Sequence, residues 1–292
     1  MKEFESLFEQ YHCDVDDKIV ENEVKKIIIE HYEENNNVEV YKKCLNLIDL
    51  TTLNVDDTAE KVENMVEKVN NFSKNFSDIP NVAAICVYPA LVKTVKENLR
   101  LDIGIAAVSA GFPASQTFIE VKIAETALSV HSGASEIDVV ISVGKFLEKN
   151  YNEVFDELEE IKAACGEAHL KVILETGALK TAENIKKASV LAMELGADFI
   201  KTSTGKINIS ATLEATYVMC NAIKEWYEKT GVMVGYKPAG GISTTEEAVK
   251  HYTLVKHILG DKWLNNNMFR FGASRLANNL LSSITGKEVI YF

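Results

Sequence analysis

Apolar positions along this chain fall into two rhythms. From Leu45 onward, short β-branched runs alternate with longer charged segments whose apolar residues recur at helical spacing. The runs are Leu45–Leu50, Val82–Val87, Ile103–Val108, Glu136–Ile141, Leu170–Glu175, Asp198–Lys201, Val232–Tyr236 and Phe269–Gly272. Helical segments begin near Asp57, Ala90, Ser115, Phe146, Thr181, Ala211 and Thr244, and a last one follows Ser274. Eight strand–helix units in about 250 residues predict an α/β fold of the TIM (β/α)8 barrel type. A doubly wound open sheet is the competing layout. It would suit fewer units, and it would usually show a glycine fingerprint after the first strand, where this chain has Asp49-Leu50-Thr51-Thr52-Leu53. Pro80, Pro89, Pro113 and Pro238 all fall at strand ends or in adjoining loops, and none interrupts a helix interior, where it would cost about 3 kcal/mol.

Residues 1–44 read differently. Glu21 to Glu34 is rich in Glu, Lys and Ile, with Val24, Ile27, Ile28 and His31 spaced for one helical face, until Asn35-Asn36-Asn37 interrupts it. The expectation is an N-terminal helical extension packed outside a barrel domain spanning 45–292. Plain packing is the simpler role for it, and contact with a second subunit is the alternative.

Composition narrows the function. The chain is 47% hydrophobic and 25% charged, ordinary values that can fill a large core. Its net charge of −12 argues against nucleic-acid binding and against a hold on anionic lipid. A small anionic substrate stays open, since a few lysines in one cleft make a local positive potential. The five cysteines, Cys13, Cys44, Cys86, Cys165 and Cys220, are odd in number and hold no C-x-x-C pair. Disulfides and a zinc site are therefore not expected, and a reducing compartment is. The first residues, Met1-Lys2-Glu3-Phe4-Glu5-Ser6, lack a signal-peptide pattern, and no apolar run approaches the roughly 20 residues that span a bilayer. A cytoplasmic protein is expected.

Candidate chemistry lies where the strands end, because barrel enzymes build their sites on the C-terminal face. Lysine seldom sits inside an apolar run unless its charge is paired or its proton lost. Lys201 does, closing Ala197-Asp198-Phe199-Ile200 ahead of Thr202-Ser203-Thr204-Gly205-Lys206. Strand one ends at Asp49 and strand two near Cys86; strand four carries Asp138 among apolar neighbours, and strand seven ends at Lys237. On strand five, alternation puts Lys171, Ile173 and Glu175 on one face. Several opposite charges converging on one mouth would pair with one another, either as a structural network or as amine catalysis. A lysine with a lowered pKa attacks carbonyls, and burial beside other cations lowers it. Lys201 and Lys237 both qualify, and the residues alone do not rank them. Asp138 would move protons. The loops Lys237-Pro238-Ala239-Gly240-Gly241 and Phe271-Gly272-Ala273-Ser274 have the character of phosphate cradles.

Together these stretches resemble the deoxyribose-phosphate aldolase family, class I (Schiff-base) aldolases on a TIM barrel. The likeness also takes in Ala83-Ala84-Ile85-Cys86-Val87-Tyr88-Pro89, Ala110-Gly111-Phe112-Pro113 and Lys171-Val172-Ile173-Leu174-Glu175-Thr176-Gly177, and it runs in family order from about Leu45 to Ser274. Ala163–His169 and the N-terminal extension are similar to the eukaryotic branch. The resemblance implies that Lys201 forms the Schiff base, that Asp138 and Lys237 transfer protons, and that Lys237 lowers the pKa of Lys201. It assigns substrate contacts to Asp49, Cys86, Lys171, Thr204, Lys206, Gly240, Gly241, Ser274 and Arg275. The implied reaction is reversible cleavage of 2-deoxy-D-ribose 5-phosphate to D-glyceraldehyde 3-phosphate and acetaldehyde, in deoxyribonucleoside catabolism. No metal or organic cofactor is implied, because the protonated imine is itself the electron sink. A homodimer is compatible with it.

Three positions depart from the family pattern. Ser243 stands where relatives commonly carry arginine, and Arg275 where they carry serine or threonine, so the phosphate-facing charge is expected to have moved from one loop to its neighbour. The chain ends Ile290-Tyr291-Phe292, which offers Tyr291 as a proton-transfer residue displaced by one position from a terminal tyrosine. The Ser243/Arg275 exchange also admits an aldolase of altered substrate choice. A non-catalytic phosphosugar binder is the reading from another class, and it would have no use for a lysine of depressed pKa.

Overall fold

The computed structural model describes residues 4–292. Three helices precede the first strand: α1 (Phe4–Gln10), α2 (Asp17–Asn35) and α3 (Val38–Asn46). Strand β1 (Ile48–Thr51) leads to α4 (Ala59–Asn70) and the short α5 (Phe72–Asn75). Next come β2 (Ala84–Val87), α6 (Val92–Asn98), β3 (Gly104–Ser109) and α7 (Ile119–His131). Two helices follow each of the next strands: α8 (Val143–Leu147) and α9 (Tyr151–Cys165) after β4 (Glu136–Val140), and α10 (Thr176–Leu179) and α11 (Ala182–Glu194) after β5 (His169–Ile173). The last units are β6 (Phe199–Lys201) with α12 (Leu213–Thr230), β7 (Gly235–Lys237) with α13 (Thr245–Leu259), and β8 (Phe271–Ala273) with α14 (Arg275–Thr285).

The strands form one parallel sheet in the order β7-β6-β5-β4-β3-β2-β1-β8. Single bridges at Tyr236↔Phe269 and Ala239↔Gly272 draw β7 to β8 and nearly close the barrel. The barrel expected from the sequence is thus the fold, and the open sheet is excluded. Along each strand, alternate residues face opposite ways. One set, including Ile48, Leu50, Ile85, Ile137, Val139, Leu170, Val172 and Ile200, joins the core under the helices. The other set brings Asp49, Cys86, Asp138, Lys171, Lys201 and Lys237 together in the lumen.

Threonine caps set several helix starts. Thr58, Thr181, Thr212 and Thr244 each accept a backbone N–H of the first turn, and Thr244 with Glu247 forms a capping box. Helices expected near Ser115 and Phe146 start later, at Ile119 and Tyr151. Ser115 takes a left-handed backbone conformation in the loop, and Phe146 belongs to the separate turn α8, packed edge-on against Tyr151 at 5.2 Å between ring centroids. Leu45 and Asn46, expected in the first strand, complete α3, whose cap Asn37 accepts the Val40 N–H.

The N-terminal helices lie against the outside of the barrel. Phe4 and Phe8 meet Phe155 and Tyr151 at ring-centroid distances of 5.6 and 5.0 Å. On α2, Val20, Val24 and Ile27 are buried, with Ile28 and His31 at the edge of that face. Asn35 joins α2 to α13 through Thr253 and Lys256.

Candidate active site

At the C-terminal end of the barrel a cavity of about 680 Å³ opens. Lys201 reaches its floor from β6. Thr204 and Lys206 line it from the loop after β6, Gly240 and Gly241 from the loop after β7, and Ser274 and Arg275 from the end of β8. Asp138, Lys237, Asp49, Cys86 and Lys171 lie below that floor, and each is fully buried. Among the substrate-contact residues expected from the resemblance, Asp49, Cys86 and Lys171 are therefore placed behind the lining rather than in it.

Register explains the cluster. Asp138 pairs with Lys171 across β4–β5, and Lys201 with Lys237 across β6–β7. The Nζ atoms of Lys201 and Lys237 donate to the same Asp138 oxygen, Oδ2, at 2.7 and 2.8 Å. Lys237 also donates to Asp49 Oδ2 at 2.5 Å, and Lys171 donates to that oxygen at 2.8 Å. The other Asp138 oxygen, Oδ1, takes no hydrogen bond among the described residues.

Two lysines sharing one carboxylate are driven apart by their surroundings. Burial lowers the pKa of Lys201; Asp138 opposes this, and the Lys237 charge reinforces it. Burial also acts against the Lys237 charge, but Asp138 and Asp49 together override it and hold its proton more firmly than in an ordinary lysine. One counter-ion against two decides which amine is released. Burial disfavours the charged form of Asp138 too, yet Lys201, Lys237 and Lys171 keep the carboxyl well below its usual range. Burial pushes the Cys86 thiol up, so it stays neutral.

Sequence reasoning missed two members of the network. Arg270, just ahead of β8, donates to Asp49 Oδ1 at 2.5 Å and to Glu136 Oε1 at 2.9 Å. Glu136 in turn pairs with Lys171. The signal that exposed Lys201, a cation inside an apolar run, was present in Phe269-Arg270-Phe271 as well. Glu175 was expected to share a face with Lys171. Instead β5 ends at Ile173, and Glu175 turns into a left-handed conformation with φ 56°, accepting the Thr204 hydroxyl at 2.5 Å and its N–H at 3.2 Å.

The rim is positively charged. Lys61, Lys68, Lys206 and Arg275 all line the cavity. Lys206 Nζ donates to the Leu53 carbonyl and ties the loop after β6 to the loop after β1. Two glycines are required by close approach. Gly240 has φ +85°, and a Cβ there would lie 2.6 Å from Ser210 Cβ. At Gly272 a Cβ would lie 2.7 Å from Ala239 Cβ and 3.2 Å from the Lys237 stem. Helix α14 opens at Arg275 without a side-chain cap, which leaves first-turn N–H groups at the rim. Ser243 lines the cavity but spends its backbone N–H on Glu247. Tyr291 donates its hydroxyl to the Lys68 carbonyl at 2.7 Å and is not in the lining, whereas Phe292 is. Among the described residues, no three His, Cys, Asp or Glu side chains gather as metal ligands, and no helix is long and apolar enough to cross a membrane.

Comparison with known proteins gives the family and the fold. Residues 43–273 match the family model described as DeoC/LacD family aldolase. A Caenorhabditis elegans protein is 47% identical over 251 residues, covering 85% of this chain and 82% of its own length. The Homo sapiens deoxyribose-phosphate aldolase is 41% identical over 268 residues, covering 85% and 83%. In fold, the tetrameric deoxyribose phosphate aldolase of Aeropyrum pernix superposes with a TM-score of 0.65 at 23% identity, over 89% of this chain and 97% of its own.

Proposed function

The chain belongs to the DeoC/LacD aldolase family, and from that premise we propose that Lys201 is the Schiff-base amine, with Asp138 and Lys237 as its proton-transfer partners. The enzyme is a class I aldolase that reversibly cleaves 2-deoxy-D-ribose 5-phosphate to D-glyceraldehyde 3-phosphate and acetaldehyde. One observation supports Lys201 above the others: of the buried lysines bound to Asp138 and Asp49, it alone reaches the cavity.

Neutral Lys201 attacks C1 of the open-chain sugar, and the carbinolamine loses water to give a protonated imine. The C3 hydroxyl then gives up its proton, and the C2–C3 bond breaks. Its electron pair moves into the C1–C2 enamine, and glyceraldehyde 3-phosphate leaves. Protonation of C2 and addition of water release acetaldehyde and restore the amine. Asp138 is a weak base because the Lys237 ammonium and the Lys201 nitrogen both donate to its Oδ2. The protonated imine keeps a positive charge on the Lys201 nitrogen, so Asp138 stays beside two cations and passes the C3 hydroxyl proton onward rather than holding it. Lys237 keeps its charge, favours the neutral amine, and passes protons through Asp138. Such transfers are typically worth 10²–10⁴-fold.

The phosphate is assigned to the Gly240-Gly241 loop and the start of α14, where backbone N–H groups and the helix dipole favour an anion. Arg275 supplies the side-chain charge that Ser243 lacks. Asp49 and Lys171 order the cluster from below, Cys86 keeps it dry, and Thr204 and Lys206 shape the wall. The N-terminal helices to residue 44 act as an outer brace on the 45–292 barrel. A homodimer working in the cytoplasm, in deoxyribonucleoside catabolism, completes the reading; five buried, unpaired cysteines suit a reducing compartment.

Incubation with acetaldehyde and sodium borohydride tests the assignment. A reduced adduct should map to Lys201 and vanish in Lys201→Met. An adduct on Lys237, or none from folded protein, would overturn it.

A further inference from the structure

We propose that Arg270 is a positioning residue for the Schiff-base lysine: clamped beneath the barrel, it sets the charge balance that leaves Lys201 a neutral amine. The inference rests on the assignment of Lys201 as that amine.

Arg270 is buried and is not among the residues lining the cavity, so it does not touch substrate. Each of its three nitrogens donates inside the protein. Nη1 reaches Asp49 Oδ1 at 2.5 Å and Glu136 Oε2 at 3.2 Å, Nη2 reaches Glu136 Oε1 at 2.9 Å, and Nε donates to the Asn266 carbonyl. Its guanidinium carbon lies 5.8 Å from the Phe199 ring centroid, with Lys171 Nζ 5.5 Å from the same centroid. From Arg270 an unbroken line of ion pairs runs through Asp49, Lys237 and Asp138 to Lys201, with Lys171 and Glu136 as a side branch.

Arg270, Lys171, Lys237 and Lys201 are four cations, whereas Asp49, Glu136 and Asp138 are three carboxylates. Of the other titratable groups facing this site, Cys86 on β2 is a neutral thiol, and Glu175 beyond β5 is occupied by Thr204 rather than by a lysine. With its carboxylates ionised and all its lysines protonated, the cluster would hold one uncompensated positive charge in the barrel interior, which is expensive. Releasing one proton removes it. Arginine does not release one. Lys171 is held by Asp49 and Glu136, and Lys237 by Asp49 and Asp138. Lys201 has Asp138 alone and a face on the cavity. The surplus therefore falls on Lys201.

The test follows the pH dependence of acetaldehyde–borohydride trapping on Lys201 in the full chain, read by peptide mass. Arg270→Met removes the surplus, so the midpoint should rise by at least about one pH unit, with trapping at neutral pH slowed about tenfold. Glu136→Gln enlarges the surplus and should move the midpoint the other way. Arg270→Met combined with Glu136→Gln restores the count and should return the midpoint to that of the wild type. A merely structural role would slow trapping without opposite shifts or compensation. If Arg270→Met does not fold, Glu136→Gln and the double variant decide. Midpoints that coincide with the wild type, or that move in one direction, overturn the proposal. A wild-type protein with no Lys201 adduct fails differently, because it removes the amine assignment beneath it.

Discussion

Three buried lysines meet here, and their counter-ions set them apart. Lys171 pairs with three carboxylates, Lys237 with two and Lys201 with one. Lys237→Met should remove the like charge beside Lys201 and also leave Asp138 Oδ2 to Lys201 alone. Both changes raise the Lys201 pKa, so the acid limb of kcat/KM should move to higher pH and neutral-pH activity should fall by about 10²–10⁴-fold. A pH–rate profile checks this, and an unmoved limb would contradict it. Arg275→Ser should raise KM for the phosphorylated sugar and leave kcat nearly unchanged, as loss of uniform binding does; equal loss in both would place Arg275 in the chemistry. Lys201, Asp138 and Lys237 were legible in the sequence because charges in apolar strands are costly, and so conspicuous. Ranking Lys201 against Lys237 was not legible from the residues. It depends on Asp49 standing beside one and not the other, across a chain separation of 188 residues. Glu136 escaped for the same reason, since it makes sense only once Arg270 is seen opposite it, whereas Arg270 carried the signal of a cation between two phenylalanines.

At the scale of elements, the alternation of apolar runs and charged segments revealed the barrel, because a strand and the helix that covers it have different periods. Strand ends were less legible. β5 stops two residues before Glu175, where a left-handed turn takes over, and no apolar–polar pattern marks that. Helix starts were clearest where threonine caps stand, at Thr181 and Thr244, and least clear at Phe146, an apolar residue that anchors a separate turn. The loop after β7 is where element geometry meets binding. Gly240→Ala would combine a left-handed φ with a contact of 2.6 Å against Ser210, for a strain of about 1–3 kcal/mol. The loop should yield by moving, so KM for the phosphosugar should rise while the global unfolding midpoint changes little. A large drop in that midpoint with unchanged KM would place the strain in the fold instead.

The stability of the whole molecule is tied to pH by a residue away from its chemistry. His251 on α13 is buried, with Nδ1 2.7 Å from the Thr216 hydroxyl, and burial pushes its pKa down to about 4. As pH falls through the ordinary histidine value near 6.5, the unfolded chain takes a proton that the folded one refuses. Stability should therefore decline from about pH 6.5 to about pH 4, by about 3 kcal/mol from this residue. Below that, protonation of the paired carboxylates should continue the loss. Urea unfolding at pH 7.5, 6 and 5 checks the slope, which His251→Gln should flatten. The contact from Lys206 to the Leu53 carbonyl has a consequence of another kind. It joins, across the barrel mouth, segments 153 residues apart in the chain. Opening of the two loops is then coupled, and hydrogen-exchange protection around Asn54 and around Lys206 should rise and fall in step, which independent changes would contradict.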